Sequence, residues 1–382
     1  MSSKRELNTF PINPSILLKL DSVGFTTVED FITIKPSELS AEANITPQEA
    51  LDVLKTLFED VNAAVRKQVT PVAKSALDLL KEEQELGSIV TFCESLDDML
   101  GGGVPLRKIT EFCGTPGIGK TQLCLQLAVD VHIPACVGGM DGEVVYIDTE
   151  GSFIVERMVD IATATVEHCH QINMDEDGDN SGLTYFTVDK ILAGTHYFRC
   201  QDHIELIATV HMLSKFLTQH SKVKLVIVDS IACPFRQDFT DMSLRTRLLS
   251  TLAQSFIKIA SQFNIAVVLT NQMTTKIAPG LGNSHLIPAL GESWGHASTI
   301  RIILFWEHNQ RQALLYKSPN KQEVVASFQV TLGGVRDVKR SSSSATTSSN
   351  CDAASSNASD KRLLANISSE VADPPNKKQK KL

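Results

Sequence analysis

The chain has 382 residues, of which 42% are hydrophobic and 21% charged, enough for one large core plus a small extra domain. No apolar run approaches the roughly 20 residues a membrane helix needs, and "MSSKRELNTF" at the start has no apolar stretch behind it to suggest secretion. The net charge of −8 is uneven: residues 336–382 hold nine Lys and Arg against five Asp and Glu, leaving 27 against 39, a formal −12, in residues 1–335, a balance that excludes nucleic-acid binding through the overall field and demands a local basic strip instead.

Residues 1–62 read as a small helical unit. "GFTTVEDF" (24–31) offers a Gly turn and then Thr26 with Glu29 three residues on, a capping box opening a short helix. "ITPQEALDVLKTLF" (45–58) repeats the pattern, with Thr46 as cap, Pro47 at the first helical position and Glu49 at the third. Leu51, Leu54 and Leu57 then form an apolar stripe at helical spacing. Two short helices about a Gly turn suit either a helix-hairpin-helix that meets a nucleic-acid backbone or a protein-docking bundle. Residues 63–86, polar, charged and broken by Pro71, read as a partly helical linker.

Residues 87–335 alternate apolar runs with helical stretches, which predicts an α/β domain built on a mainly parallel sheet. The strand candidates are 109–113, 144–148, 223–229, 265–270 and 299–306, each nearly continuous in apolar character, as strands covered on both faces require. Helices are expected at 153–169 and 243–263, with a closing hairpin near "ALLYK" and "VVASFQV". Residues 341–359 carry eleven Ser and Thr and almost nothing apolar, so residues 336–382 read as a disordered basic tail. The eight cysteines are scattered without a Cys-x-x-Cys pair, as free thiols of a reducing compartment are. In "EHCHQ", His168 and His170 sit two apart on an expected helix and so face different ways, which argues against a metal site there.

The most specific local signal is Gly114-Thr115-Pro116-Gly117-Ile118-Gly119-Lys120-Thr121, a full match to G-x-x-x-x-G-K-[ST] placed after a strand and before a helix. Glycines let successive N–H groups turn inward around an anion, and the helix N-terminus adds partial positive charge. Lys120 is expected to reach the β- and γ-phosphates, and Thr121 to hold Mg²⁺. A phosphate loop also needs an acid ending a second strand, and "LVIVDS" supplies Asp229. "VVYIDTEGSF" adds Asp148 and Glu150. Either carboxylate suits activation of water for in-line attack, and either suits capping the helix that begins near Phe153. Gln272 ends another strand, where an amide can sense the γ-phosphate. Beyond it, 273–291 reads as a mobile loop, as does 233–242 after Asp229. Arg236 and Lys276 are candidate phosphate contacts there. Phe235 and Phe239 suit either stacking on unpaired bases or packing beneath their own loop.

Together, "SLDDMLGGGVPLRKITEFCGTPGIGKTQLCLQLAVD", "VVYIDTEGSF", "KLVIVDSIA", "VVLTNQM" and "GESWGHASTIRI" resemble the RecA-like P-loop ATPase core of the eukaryotic RecA-type recombinases. The N-terminal "GFTTVEDF", "PSELS" and "ITPQEAL" resemble that branch's helix-hairpin-helix domain, and "GGGVPL", "VDVHIP", "SLRTRLL" and "PALGESWGHA" resemble its paralogues. The resemblance covers nearly all of residues 10–335. It implies an ATP-binding, DNA-dependent ATPase of homologous-recombination repair, with Lys120 and Thr121 on nucleotide and Mg²⁺, Asp229 on the metal, Glu150 activating water and Gln272 coupling ATP to the loop after it. It also implies that 233–242 and 273–291, with Arg236 and Lys276, face single-stranded or branched DNA. Strand-exchange members polymerise through a Phe-x-x-Ala segment in the interdomain linker, and residues 63–86 contain no Phe. That departure argues against long filaments of this chain and for hetero-oligomers with other recombinase paralogues that assist the main strand-exchange recombinase. Lys377, Lys378, Lys380 and Lys381, with Lys361 and Arg362 upstream, resemble a bipartite nuclear import signal, implying a nuclear protein with some in the cytoplasm. A scaffold in which bound ATP glues subunits together is the alternative to an active ATPase.

Overall fold

The computed structural model describes residues 6–31, 34–58, 73–175, 183–236, 239, 241–277 and 284–338. The chain divides into two compact units, Met1–Glu83 and Gln84–Leu382. Lys377, Lys378, Lys380 and Lys381, expected to act in nuclear import, lie outside the described residues.

In the first unit, helices α1 (Pro14–Ser22), α2 (Pro36–Glu42) and α3 (Pro47–Phe58) each open on a proline, which needs no N–H partner at the first helical position. The box at α3 forms as expected: Glu49 N–H donates to Thr46 Oγ1 (3.2 Å), and Glu49 Oε2 accepts from Thr46 N–H (2.8 Å). The one expected at Thr26 is shifted. Asp30 reaches back, accepting from the N–H groups of Thr26 (2.9 Å) and Thr27 (2.8 Å), and closes a single 3₁₀ turn, Val28–Phe31. On α3 the buried stripe is Ala50, Val53, Leu54 and Leu57, with Leu51 at its half-buried margin. These side chains pack with Leu20, Phe31 and Leu39 into a core belonging to this unit. Helix α4 (Ala76–Leu86) buries no residue of its own.

The second unit is built on a sheet. A short pair, β1 (Ser88–Ile89) and β2 (Val104–Pro105), is separate from it. Among the described residues ten strands form the main sheet: β3 (Ile109–Gly114), β4 (Glu143–Asp148), β5 (Thr195–Arg199), β6 (Val223–Asp229), β7 (Ala266–Ile277), β8 (Ser284–Pro288), β9 (Ile300–Glu307), β10 (Gln310–Lys317), β11 (Val325–Thr331) and β12 (Gly334–Arg336). Their order is β12-β11-β10-β9-β3-β7-β6-β4-β5, with β8 paired to β7. From β9 to β5 every neighbour is parallel, and β10, β11 and β12 add antiparallel strands at one side. The mainly parallel α/β core is therefore borne out.

Strand residues alternate between two apolar layers. Tyr146, Ile227 and Val268 pack with α5 (Lys120–Asp130) and α6 (Val155–Asp175). Val145, Ile147, Val226 and Val267 pack on the other face with α7 (His203–Gln219) and α8 (Met242–Phe263). Three local expectations are corrected. Strand β5 was not anticipated, because "THYFR" at a sheet edge carries no apolar run. The expected loop at 233–242 begins as a helical turn, Cys233–Arg236, with Pro234 and Phe235 buried. The expected loop at 273–291 is instead the β7–β8 ribbon, in register from Met273↔Pro288 to Ile277↔Ser284; its tip, 278–283, lies outside the described residues. The ordered core also runs past residue 335: Arg336 is in β12, and the Asp337 carboxylate accepts from the N–H groups of Glu94 (2.7 Å) and Ser95 (2.9 Å).

Candidate nucleotide site

The parallel strands β3, β4, β6 and β7 deliver their C-terminal ends to one edge, the place where ligands bind in open α/β sheets. At the end of β3 the chain turns through Gly114–Thr121 into α5. Gly117 (φ 79°) and Gly119 (φ 113°) occupy the left-handed region, and Gly119 caps the helix. A Cβ on Gly114 would stand 2.8 Å from Ile118 Cγ2 and 3.0 Å from the Leu304 carbonyl, so the loop folds this tightly only with glycine there. Leu123 to Asp130 are buried, which anchors α5 behind the loop. The Lys120 ammonium donates to the carbonyls of Gly114 (2.8 Å) and Thr115 (3.1 Å) and so arches over the loop's mouth. Burial lowers its pKa, opposed by the charges of Glu150 and Asp229.

Asp229, at the end of β6, is 2% exposed. Its Oδ2 accepts from the hydroxyls of Thr121 (2.7 Å) and Tyr146 (3.0 Å), and its Oδ1 from that of Thr270 (2.6 Å). Burial raises its pKa, and the three hydroxyls only partly offset that. A buried carboxylate that among the described residues accepts from hydroxyls alone, one of them from the phosphate loop, is a donor set suited to a hard hydrated cation such as Mg²⁺.

The geometry separates Asp148 from Glu150. Asp148 Oδ1 accepts from the N–H groups of Glu150 (3.0 Å), Gly151 (2.7 Å) and Ser152 (3.3 Å), Oδ2 from that of Phe153 (3.2 Å) and from the Tyr197 hydroxyl (3.1 Å). Its capacity is spent holding the turn that leads into α6. Glu150 faces the strand ends instead: its Oε1 accepts from the Ser230 hydroxyl (2.6 Å) and from Gln272 Nε2 (2.7 Å). The ends of β4 and β6 are laced together, the Thr149 hydroxyl donating to the Ser230 carbonyl (2.7 Å) and accepting from the Ser230 N–H (2.8 Å). Arg236 in turn donates to Gln272 Oε1, so Glu150, Gln272 and Arg236 form one chain of contacts.

Lys120, Thr121, Asp229, Glu150, Gln272 and Arg236 are thus brought together. Lys276 is further along the β7–β8 ribbon, with its side chain exposed. Phe235 is buried and stacks on Phe239 (5.7 Å between centroids), which packs against His203 (4.7 Å), so Phe235 belongs to the core beneath its turn. Sequence reasoning missed Tyr146, Thr149, Ser230 and Thr270. A tyrosine in an apolar strand and hydroxyl residues beside strand ends carry no local mark of what they touch.

Comparison with known proteins decides the lineage. The Rad51 family matches residues 82–338. This chain belongs to the Rad51 family. It is 51% identical over 351 residues to the DNA repair protein RAD51 homolog 3 of Cricetulus griseus, covering 90% of this chain and 95% of that protein. It is 47% identical over 266 residues to the Dictyostelium discoideum protein of the same name, 69% of each chain. It is 31% identical over 334 residues to the DNA repair and recombination protein RadA of Aeropyrum pernix, covering 85% of this chain and 94% of that one. The expected kinship with eukaryotic RecA-type recombinase paralogues is borne out. The Rad51 family is one of DNA-dependent ATPases that bind ATP with Mg²⁺, and the loop and Asp229 described above fit that pair.

Proposed function

We propose that this Rad51-family chain binds ATP with Mg²⁺, hydrolyses it in response to single-stranded or branched DNA, and works in homologous-recombination repair, in the nucleus, within a hetero-oligomer of recombinase paralogues that loads or stabilises the main recombinase. The observation that carries this reading is the convergence of Lys120, Thr121, Asp229, Glu150 and Gln272 on one edge of the sheet. The loop N–H groups and Lys120 hold the β- and γ-phosphates. Thr121 and Asp229 hold the Mg²⁺, whose charge offsets that developing on the phosphates. Glu150 takes the proton from the attacking water, oriented by Ser230 and Gln272. Gln272 and Arg236 join that carboxylate to the segments beyond β6 and β7, where Arg236 and Lys276 are offered to DNA. The test is Glu150→Gln in the full chain with its co-purifying partners. Nucleotide affinity should stay within about twofold while hydrolysis falls about 10²- to 10⁴-fold; equal hydrolysis in the variant removes Glu150 from the mechanism.

The acidic body, −12 over residues 1–335, favours a second reading in which ATP chiefly joins subunits. Lys120→Arg separates the two. A variant that holds nucleotide, loses hydrolysis and still supports repair assigns the scaffold role.

A further inference from the structure

At the other end of β4 from the phosphate site, three side chains from three elements meet. Glu143 opens β4 and shares the face of Val145 and Ile147. His196 is the second residue of β5 and shares the face of Phe198, since alternate strand residues point the same way. His220 caps the C-terminal end of α7, its N–H donating to the Phe216 carbonyl (2.9 Å). Parallel pairing of β4 with β5, Val145 opposite His196, brings the first two together. Their contact is 2.9 Å, His196 Nε2 to Glu143 Oε2. The rings of His196 and His220 are 4.7 Å apart, and His220 stacks on Phe216 at 4.1 Å. One ligand atom from each of Glu143, His196 and His220 falls within 4.8 Å of the other two, and all three residues are partly buried.

We propose that Glu143, His196 and His220 form a binding site for a zinc-class divalent cation. Three points no more than 4.8 Å apart leave a common centre at most about 2.8 Å from each, against metal–ligand distances of about 2.0–2.2 Å for imidazole and carboxylate on Zn²⁺. Closing that gap takes side-chain movement of about 0.7 Å or less, well within the room that partly buried side chains have. Two imidazoles and one carboxylate select Zn²⁺, Co²⁺ or Ni²⁺ over Mg²⁺, which wants oxygen ligands in an octahedron. Partial exposure leaves a fourth position for water or for a donor from another molecule. The aromatic floor of Phe216 and Phe198, their rings 5.5 Å apart, backs the histidines. The bound ion ties the edge strand β5 to β4 and to the end of α7. The site stands about 16 Å along β4 from Asp148, so it is independent of the phosphate loop.

The test uses the untagged full chain, stripped with chelator, free of nucleotide and titrated with Co²⁺. Expected are roughly one equivalent bound with visible ligand-field absorption, no near-ultraviolet thiolate band from the cysteines, and no competition by excess Mg²⁺. His196→Ala and His220→Ala should each weaken Co²⁺ at least about tenfold, while Lys120→Ala leaves it unchanged. Zn²⁺ should raise the thermal midpoint of the parent and not of His220→Ala. Glu143→Gln keeps the size of the side chain and should weaken binding even if an alanine variant folds poorly. No Co²⁺ uptake by the parent, equal affinity in folded histidine variants and in Glu143→Gln, or loss of uptake in Lys120→Ala each overturns the proposal.

Discussion

Two acids buried in the same sheet have opposite surroundings. Glu111 on β3 is fully compensated: Arg301 Nε and one terminal nitrogen lie 2.7 Å from its Oε2, and its Oε1 accepts from Asn271 Nδ2 (2.7 Å) and Trp294 Nε1 (2.9 Å). Asp229, two strands away, has three hydroxyls and, among the described residues, no ion pair. A buried charge left without a counter-charge costs stability unless something else supplies one. Glu111 therefore knits β3, β7 and β9 together, while Asp229 keeps an unmet demand at the mouth of the phosphate loop. The difference separates an acid whose charge is met within the fold from one whose charge is met by hydroxyls alone among the described residues.

The largest effect should come from Glu111→Gln. Losing the carboxylate strands the Arg301 guanidinium, 8% exposed, in the core, and breaking such a pair costs about 3–5 kcal/mol. Denaturant unfolding measures it, and a loss below about 1 kcal/mol would erase the contrast. Asp229→Asn should behave in the opposite way. Because burial raises the folded pKa of Asp229 above 3.8, the folded state holds its proton more tightly than the unfolded chain. Its contribution to stability therefore declines as pH rises from 3.8 through the raised value. At pH 7 the amide should leave stability unchanged or raise it by about 1 kcal/mol, yet abolish the Mg²⁺-dependent part of nucleotide affinity. Calorimetry with and without Mg²⁺ reads the second effect, and thermal melts the first. A third acid lies between these extremes. Asp97 accepts from the Thr91 N–H (2.9 Å) and is raised to about 6 by burial. Its ionisation costs stability progressively as pH rises from 3.8 to about 6. Asp97→Asn, which keeps the acceptor, should add about 1 kcal/mol at pH 7.5 and less at pH 5. A gain that does not shrink on acidification would show that the charge of Asp97 is not what costs stability.

Much of this architecture is legible in the amino-acid sequence. The phosphate loop, the Thr46–Glu49 cap and the strands ending at Asp148 and Asp229 are local patterns, each the product of residues within about ten positions of one another, whereas the strand expected to end at Gln272 runs on to Ile277. The sorting of Asp148 from Glu150 was not legible, since two carboxylates two residues apart have the same options until the turn between them is folded. Nor was the edge strand β5, whose five residues carry no apolar run and read as loop until β4 pairs with them. The ribbon of β7 and β8 reads as a loop because glycines and prolines recur between 279 and 291 and its pairing partners stand 7 to 15 residues apart.

What the amino-acid order determined by itself was therefore the anion cradle, the parallel α/β plan and the family. The first two rest on backbone preferences and hydrophobic period, which act over a few residues, and the third on the resemblance of several motifs standing in order. Only the tertiary structure decided which acid caps the turn and which reaches Ser230 and Gln272, that Tyr146 and Thr270 attend Asp229, and that Glu143, His196 and His220 converge. Those outcomes depend on strand order and register, which place residues tens to more than a hundred positions apart within hydrogen-bonding distance.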